Sequence, residues 1–172
     1  MTNGPLRYAD GPAAEVTTVV NAPIEVVWQL VTDIDLPARF SAEFLGAAWL
    51  DQGPRLSARF LGRNQHPAIG HWETTSYVCT YEPPSAFGWH VSDPEHPSSS
   101  WWFALEEQPG GVRVSYRARI GPAPSGLSAA IAAMPEKEER IIARRLSEFE
   151  QNMRATLQGI KELAEAAQAA GG

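Results

Sequence analysis

The segment VRVSYRARI, residues 112–120, alternates apolar and polar side chains along its whole length. Successive side chains on a β-strand point to opposite faces, so this pattern predicts a strand with one buried face and one wet face. Other β-rich stretches are divided by glycine- and proline-rich turns such as QGPR, EPPS and QPGG, which suits successive antiparallel hairpins. We predict strands near residues 15–20, 45–50, 55–63, 69–82, 86–92, 100–107 and 111–121.

Two parts of the chain follow a helical period instead. In PIEVVWQLVTDI, apolar residues recur at helical spacing from Ile24 to Val31, and Pro23 suits a first helical turn. Shorter helices are predicted near residues 36–43 and 127–134. From Pro135 to about residue 169 no further proline occurs, and one apolar stripe recurs at steps of three and four. This stripe contains Ile142, Leu146, Phe149, Met153, Leu157, Ile160 and Ala164.

The order of these elements predicts an α+β fold. The buried face of the sheet needs a partner, and only the long C-terminal helix is large enough. About 33 helical residues at roughly 1.5 Å each give a rod near 50 Å long, around which a twisted sheet must curl. A curved sheet and a straight rod meet along a line and diverge elsewhere. The remaining volume must hold large side chains, the short helices or a bound molecule.

Composition narrows the class of protein. The chain has 172 residues, 44% of them hydrophobic, and a net charge of −6, which predicts one domain over residues 14–169 after a flexible arm, residues 1–13. The acidic balance argues against nucleic-acid binding. The single cysteine, Cys79, excludes an internal disulfide and suits a reducing compartment. No signal-like or membrane-spanning segment is evident, so we expect a cytoplasmic protein without stable membrane insertion.

The pair Trp101–Trp102 poses a geometric problem, because neighbouring residues of a strand cannot face the same side. We predict that Trp101 points inward with Phe103 and Leu105. Trp102 then points outward, where a side chain of a neighbouring strand or a partner subunit would cover it.

Four stretches together resemble a known family: VVNAPIEVVWQLVTDI, ARFLGRNQHPAIGHWETTSYV, WWFALEEQPGGVRVSYRARIGP and MRATLQGIKELAEA. Over about residues 14–166 the chain resembles the START/SRPBCC superfamily, with its pollen-allergen-like helix-grip fold, and in particular the bacterial polyketide cyclase/dehydrase branch. The resemblance implies a curved seven-stranded antiparallel sheet wrapped around a long C-terminal helix, with a hydrophobic cavity between them. Members bind lipids, sterols, plant hormones or polyketides, and a minority are enzymes, so the fold alone does not select a function.

Large aromatic residues and a few polar ones are the predicted lining of this cavity. Each aromatic side chain can bury roughly 150–250 Å², and apolar cavities with a few polar groups are typical small-molecule sites. For each single residue, ordinary core packing is the alternative. The predicted ligand-binding residues are Trp28, Phe40, Phe44, Phe60, Asn64, Trp72, Thr74, Ser76, Trp89, Trp101, Phe103, Tyr116, Phe149 and Met153.

The strand GHWETTSYVCTY bears most directly on chemistry. If Trp72 faces inward, its parity also places Thr74, Ser76, Val78 and Thr80 inside. In the aromatase/cyclase enzymes that the chain resembles, the matching strand presents an arginine to the pocket, and by our placement that position is Val78. This difference argues against cyclase activity. A one-residue bulge would reverse the parity and bring His71 and Glu73 inside.

No catalytic residue, metal site or cofactor is predicted. HPAIGH and HVSDPEH lack a recognised ligand spacing, no GxSxG nucleophile motif occurs, and His90 is expected to face outward. The charges of EKEERIIARR are predicted to form a solvated helix face, with Arg144 and Arg145 as an alternative contact for a protein or membrane surface. A glycine inside a helix costs about 1 kcal/mol relative to alanine. We therefore expect a residue of the sheet or a bound molecule to pack closely against the helix backbone at Gly159.

Three hypotheses follow. The first is binding of a hydrophobic small molecule, lipid- or polyketide-like, by a carrier or sensor. The second is an aromatase/cyclase or dehydratase in which Trp72, Ser76 and Tyr116 orient a polyketide-like substrate. The third is a protein-interaction module whose core is filled by side chains. The protein is expected to be a monomer or a homodimer.

Overall fold

A computed structural model describes residues 4–171, with residues 1–3 and 172 outside the description. It contains seven strands, three α-helices and three short 3-10 turns. The strands are β1 (Ala13–Val20), β2 (Phe44–Trp49), β3 (Arg59–His66), β4 (Gly70–Glu82), β5 (Ala86–Val91), β6 (Ser99–Gln108) and β7 (Gly111–Ile120). The helices are α1 (Ile24–Val31), α2 (Gly126–Ala133) and α3 (Glu138–Ala170). The 3-10 turns are Tyr8–Asp10, Leu36–Arg39 and Pro135–Lys137.

All seven strands form one antiparallel sheet in the order β1-β7-β6-β5-β4-β3-β2. From β2 to β7, each strand pairs with the next strand in the sequence. Strand β1 pairs with β7 and forms the other edge of the sheet. Helix α3 packs chiefly against β1, with smaller contacts to α1, α2 and β7. The predicted α+β helix-grip architecture is confirmed. Helix α3 therefore lies closest to the β1 edge of the sheet, and the strands from β2 to β5 lie farther from its backbone.

Two predicted boundaries differ from those observed. Strand β3 begins at Arg59 rather than near residue 55, because Ser57 adopts a positive φ of 67° that interrupts an extended strand. The helix predicted near residues 36–43 is a 3-10 turn, Leu36–Arg39. It cannot continue because the Ser41 hydroxyl accepts hydrogen bonds from the backbone N–H groups of Glu43 and Phe44, at 3.1 and 3.0 Å, and turns the chain into β2.

The N-terminal stretch that the composition marks as an arm is partly described. Arg7 donates to the Glu138 carboxylate at 3.0 Å, and the backbone N–H of Tyr8 donates to the same carboxylate at 2.9 Å. These bonds hold the pKa of Glu138 below its usual value. Residues 7–8 therefore contact the first turn of α3, while residues 1–3 lie outside the described residues.

A β-bulge in β4 changes the predicted facing of its last residues. Val78 pairs with Trp89 and Thr80 pairs with Gly88, which leaves Cys79 as the extra residue. The prediction that Thr80 faces inward is therefore wrong, and Tyr81 points inward in its place, its ring centroid 6.5 Å from that of Phe87. The bulge follows Trp72 rather than preceding it, so His71 and Glu73 stay exposed.

The two tryptophans of β6 face opposite sides, as predicted. Trp101 packs against the hydrophobic core, and Trp102 lies on the outer face. A neighbouring strand covers Trp102: the guanidinium carbon of Arg117 on β7 lies 5.0 Å from its ring centroid. The close approach expected at Gly159 is made by Phe40, whose ring occupies the space of a Cβ there.

Candidate functional site

The predicted ligand-binding residues lie on the inner face, the concave side of the sheet that faces α3, or on the elements that close it. Six of them are buried in the core: Phe60, Ser76, Phe103, Tyr116, Phe149 and Met153. The other eight are half-buried: Trp28, Phe40, Phe44, Asn64, Trp72, Thr74, Trp89 and Trp101. The half-buried residues themselves fall into two groups. Trp28, Trp89 and Trp101 make ring contacts in a packed part of the inner face, whereas Phe44, Asn64, Trp72 and Thr74 lie together on neighbouring strands.

The packed part is a continuous chain of ring contacts, which we name the inner aromatic cluster. Phe103 stacks on Tyr116 with ring centroids 4.0 Å apart, and Trp101 lies 4.8 Å from Phe149 of α3. Offset or edge contacts of this kind stabilise aromatic packing beyond the area that they bury. The members are Trp28, Trp49, Phe60, Tyr81, Phe87, Trp89, Trp101, Phe103, Tyr116 and Phe149. Trp49 and Tyr81 are not among the predicted residues, and the bulge that turns Tyr81 inward has no clear sequence signal.

The open part lies on β2, β3 and β4, and we name it the inner-face opening. Phe44, Asn64 and Trp72 are direct cross-strand neighbours, and Thr74 pairs with Gly62. A Cβ on Gly62 would lie 3.4 Å from the Phe44 ring, so the glycine keeps this surface low. These four side chains are half-buried, and none of the ring contacts found within residues 4–171 includes Phe44 or Trp72. Part of the inner face therefore stays accessible to solvent at these strands.

Four charged or polar side chains cross the gap at this opening, and we name them the clasp. Arg145 of α3 donates to the carboxylates of Glu43 and Glu148, with bonds of 2.8 Å to each. His66, at the end of β3, lies 3.1 Å from the same Glu148. The clasp joins the start of β2 and the β3–β4 hairpin to the N-terminal half of α3, where the sheet otherwise diverges from the helix.

The hydrogen bonds of the clasp fix its protonation. The backbone N–H of Ala68 donates to Nδ1 of His66 at 3.1 Å, so the neutral ring carries its proton on Nε2 and donates it to Glu148. Burial opposes the charge of Glu148, but the bonds from Arg145 and His66 hold its pKa below the usual value. Burial likewise opposes the charge of Arg145, and its two carboxylate partners raise its pKa.

Arg145 also forms one wall of the opening. Its guanidinium carbon lies 4.6 Å from the centroid of the Phe149 ring, and its side chain is only 15% exposed. The charge pattern of EKEERIIARR predicted a solvated face for this arginine. The sequence did contain a signal for this position. Arg145 lies four residues before Phe149, and residues four apart share one face of a helix. Val78, the position at which the family resemblance implies an arginine, is buried at 2% exposure.

The inner face offers neutral polar groups rather than free charges. Burial raises the pKa of Tyr116, which keeps its phenol neutral. Ser76 is 2% exposed beside the aromatic rings. Within residues 4–171, no cluster of histidine, cysteine, aspartate and glutamate side chains is suited to hold a metal ion. This face can therefore offer apolar contact and hydrogen bonds to neutral oxygen atoms.

Two other features complete the description of the surface. Clefts of about 300 and 400 Å³ lie outside the inner face, one on the outer side of the sheet and one between β1 and α3. In the part of the chain from residue 4 to residue 171, no helix is both long and apolar enough to cross a bilayer.

Acid should weaken the clasp. Because the folded-state pKa of Glu148 lies below its usual value, its contribution to stability is present above the unfolded-state pKa of about 4.3 and disappears as the pH falls through the folded value. We expect Tm, followed by circular dichroism, to fall from about pH 5 to about pH 3, and to fall less steeply in Glu148→Gln. Glu150→Gln, on the same helix, should retain the full slope. Parallel slopes in all three proteins would contradict this account.

Comparisons with known proteins agree with this geometry. The family model described as polyketide cyclase / dehydrase and lipid transport matches residues 12–165. No curated protein matched the chain. Among solved structures, the polyketide-cyclase-like protein Cgl2372 from Corynebacterium glutamicum is 29% identical, with a TM-score of 0.63, and the match covers 91% of this chain and 93% of that one.

Two further structures share the fold at lower identity. The di-domain ARO/CYC StfQ from the steffimycin biosynthetic pathway is 14% identical, with a TM-score of 0.70; the match covers 91% of this chain but only 51% of StfQ. The protein TTHA0849 from Thermus thermophilus is 16% identical, with a TM-score of 0.60 and coverage of 91% and 99%. Since the family model spans nearly the whole chain, the protein belongs to the polyketide cyclase / dehydrase and lipid transport family.

Proposed function

We propose that the protein binds an apolar small molecule, lipid- or polyketide-like, between the inner face and α3, and serves as a carrier or sensor for it. The observation that carries this proposal is the inner-face opening, where Phe44 and Trp72 face the concave side and remain half exposed. Leaving aromatic surface in contact with water inside a fold costs free energy. Occupation by an apolar ligand removes that cost.

The expected affinity follows from the area at this opening. Burial of apolar surface contributes roughly 25 cal/mol per Å², or about 2.5 kcal/mol for every 100 Å² of aromatic surface that a ligand covers. Asn64 and Thr74 lie beside Trp72 on the same face and can hydrogen-bond to a carbonyl or hydroxyl of the ligand. Ligands with an apolar body and one neutral polar end should therefore bind best.

The cyclase or dehydratase hypothesis remains the second candidate, and Arg145 is the observation that favours it. A guanidinium at the opening can polarise a carbonyl oxygen of a polyketide-like substrate. Its donors, however, are already engaged by Glu43 and Glu148. These carboxylates reduce the positive charge available to a substrate, and we therefore place binding without chemistry first. Loss of turnover of a poly-β-ketone in Arg145→Lys, with binding unchanged, would reverse this order.

The third hypothesis, an interaction module with a filled core, rests on the continuous ring contacts of the inner aromatic cluster. It makes the opposite prediction for small molecules. If the packed rings extend their contacts to the opening in solution, no apolar compound will enter, although the protein is folded.

The binding proposal is tested with 1-N-phenylnaphthylamine, an uncharged fluorophore that brightens in apolar surroundings. We expect saturable binding by the wild-type protein and about a tenfold weaker Kd in Trp72→Ala, equivalent to about 1.4 kcal/mol. Tyr77→Ala is the matched control, because this tyrosine lies on the same strand as Trp72 but on its outer face, between the buried Ser76 and Val78. No saturable binding by the folded protein, or equal losses in the two variants, would refute the proposal.

A further inference from the structure

We propose a second binding site on the outer face of the sheet, for a small aromatic anion that carries a hydroxyl group. This proposal is independent of the function proposed for the inner face. The site is the cleft of about 300 Å³ over strands β4 to β7, a volume at the lower end of the range of about 300–1,000 Å³ for small-molecule sites. Its outward side chains are Cys79, Thr80, His90, Ser100, Trp102 and Arg119.

The register of the strands explains why a depression exists here. His90, Ser100 and Arg119 are consecutive cross-strand neighbours in one row, and Gly88 pairs with Trp102 in the next row. Gly88 has no side chain, and a Cβ there would lie 2.8 Å from the Cβ of Trp102. The surface therefore drops between the two rows, which are separated by about 7 Å along a strand.

The β4 bulge contributes to the same cleft. Because Cys79 is the extra residue, Thr80 turns outward and pairs with Gly88. Its hydroxyl lies 3.9 Å from the sulfur of Cys79. Bulges re-aim side chains in this way and are frequent beside functional sites.

The charge around the cleft favours an anion. Of the three arginines that project outward from β7, Arg113 and Arg117 lie opposite Glu106 and Glu15 on the neighbouring strands, whereas both cross-strand neighbours of Arg119 are uncharged. None of the ion pairs found within residues 4–171 includes Arg119. This arrangement is notable in a chain of net charge −6. A guanidinium without a partner binds carboxylates through paired hydrogen bonds. Arg119 lines the cleft itself and is the proposed carboxylate contact.

The aromatic wall favours a flat ring. Trp102 is half-buried, and Arg117 covers part of its indole, with the guanidinium carbon 5.0 Å from the ring centroid. The cation–π contact holds the indole in place. The remaining indole surface faces the depression above Gly88, where a ligand ring can pack against it.

His90 provides a hydrogen-bond acceptor at the opposite end of the row from Arg119. Nδ1 of His90 lies 2.7 Å from the carbonyl oxygen of Pro94, which can only accept, so Nδ1 carries the proton and Nε2 of the neutral ring is an acceptor. The backbones of His90 and Arg119 are two strands apart, about 10 Å. The Arg119 guanidinium packs over Gly11, on the β1 side of β7, and must turn toward the cleft to meet a carboxylate. A hydroxyaryl carboxylate spans this distance with the carboxylate at Arg119, the ring beside Trp102 and the hydroxyl group at His90.

The chain supplies its own reporter for this site, because Cys79 is its single cysteine and is exposed. We would measure the rate of Cys79 alkylation by iodoacetamide in the full chain, with increasing 6-hydroxy-2-naphthoate. We expect the probe to slow alkylation at least about fivefold at saturation and Arg119→Gln to weaken half-protection at least about tenfold. Arg113→Gln, a control on the same strand and face that does not line the cleft, should protect like wild type.

Several results would overturn the proposal. These are an unchanged alkylation rate up to millimolar probe, equal protection by the uncharged methyl ester, or full protection in Arg119→Gln. Alkylation that slows with protein concentration alone would assign this face to a second copy of the chain instead. The Arg119 side chain packs across Gly11, so Arg119→Gln could disturb folding. If that variant is unfolded, Ser100→Ala replaces it in the test. Ser100→Ala should also weaken the protection of Cys79 by the probe.

Discussion

Replacing Phe103 by alanine is expected to lower the free energy of unfolding by about 3–5 kcal/mol, as found when large aromatic side chains are removed from packed cores. Phe103 is 2% exposed, stacks on Tyr116 at 4.0 Å and lies 6.3 Å from Trp89, ring centroid to ring centroid. Truncation leaves a cavity at the centre of the inner aromatic cluster that its neighbours can fill only in part. Urea denaturation followed by far-UV circular dichroism gives the value.

The control for this prediction is Phe103→Leu, which keeps most of the volume and should cost less than about 1.5 kcal/mol. A loss below about 1 kcal/mol for Phe103→Ala would contradict tight packing. It would mean that the rings around Phe103 already border a space that water or a ligand can occupy.

The second large effect is expected for Arg145→Met. Removing one partner of a fully buried ion pair costs about 3–5 kcal/mol, and we expect about 2–4 here because the side chains of Arg145 and Glu43 are 15% and 14% exposed. The substitution leaves Glu43 and Glu148 facing each other without a cation. Urea denaturation measures the loss, and hydrogen exchange should show faster opening of residues 138–150.

Arg144→Met is the matched control, since this neighbouring arginine is 79% exposed and reaches Glu148 only at 3.5 Å. Exposed pairs of this kind contribute little, so its effect should stay within about 0.5 kcal/mol. Equal losses for the two variants would show that the clasp does not hold α3 to the far side of the sheet.

The fold was predictable because its signals are periodic. The alternation in β7 and the apolar stripe of α3 each extend over many residues, and both elements form as predicted. The errors arose where a single residue decides the conformation. Because Ser57 has a positive φ, β3 begins later than predicted. Because Cys79 is the extra residue of a β-bulge, Thr80 points to the outer face instead of the inner face. Neither event leaves a periodic trace in the sequence.

The candidate site was predictable in its apolar part and not in its charged part. Trp72, Trp101 and Phe103 followed from strand parity. The clasp did not, because it joins residues far apart in the chain: Glu43 and Arg145 are 102 residues apart. A run of charged residues on a helix is normally solvated. Arg145 differs from the exposed Arg144 only because the fold brings its carboxylate partners next to it.

The central claim is that apolar ligands occupy the inner-face opening. Its most direct test is an amide chemical-shift map of the ¹⁵N-labelled protein titrated with 1-N-phenylnaphthylamine. The account predicts shifts at Asn64, Trp72 and Thr74 and in the α3 turn from Arg145 to Phe149, while Gly88 and Trp102 on the outer face stay in place. Shifts confined to the outer face, or none at all with a folded protein, would contradict it.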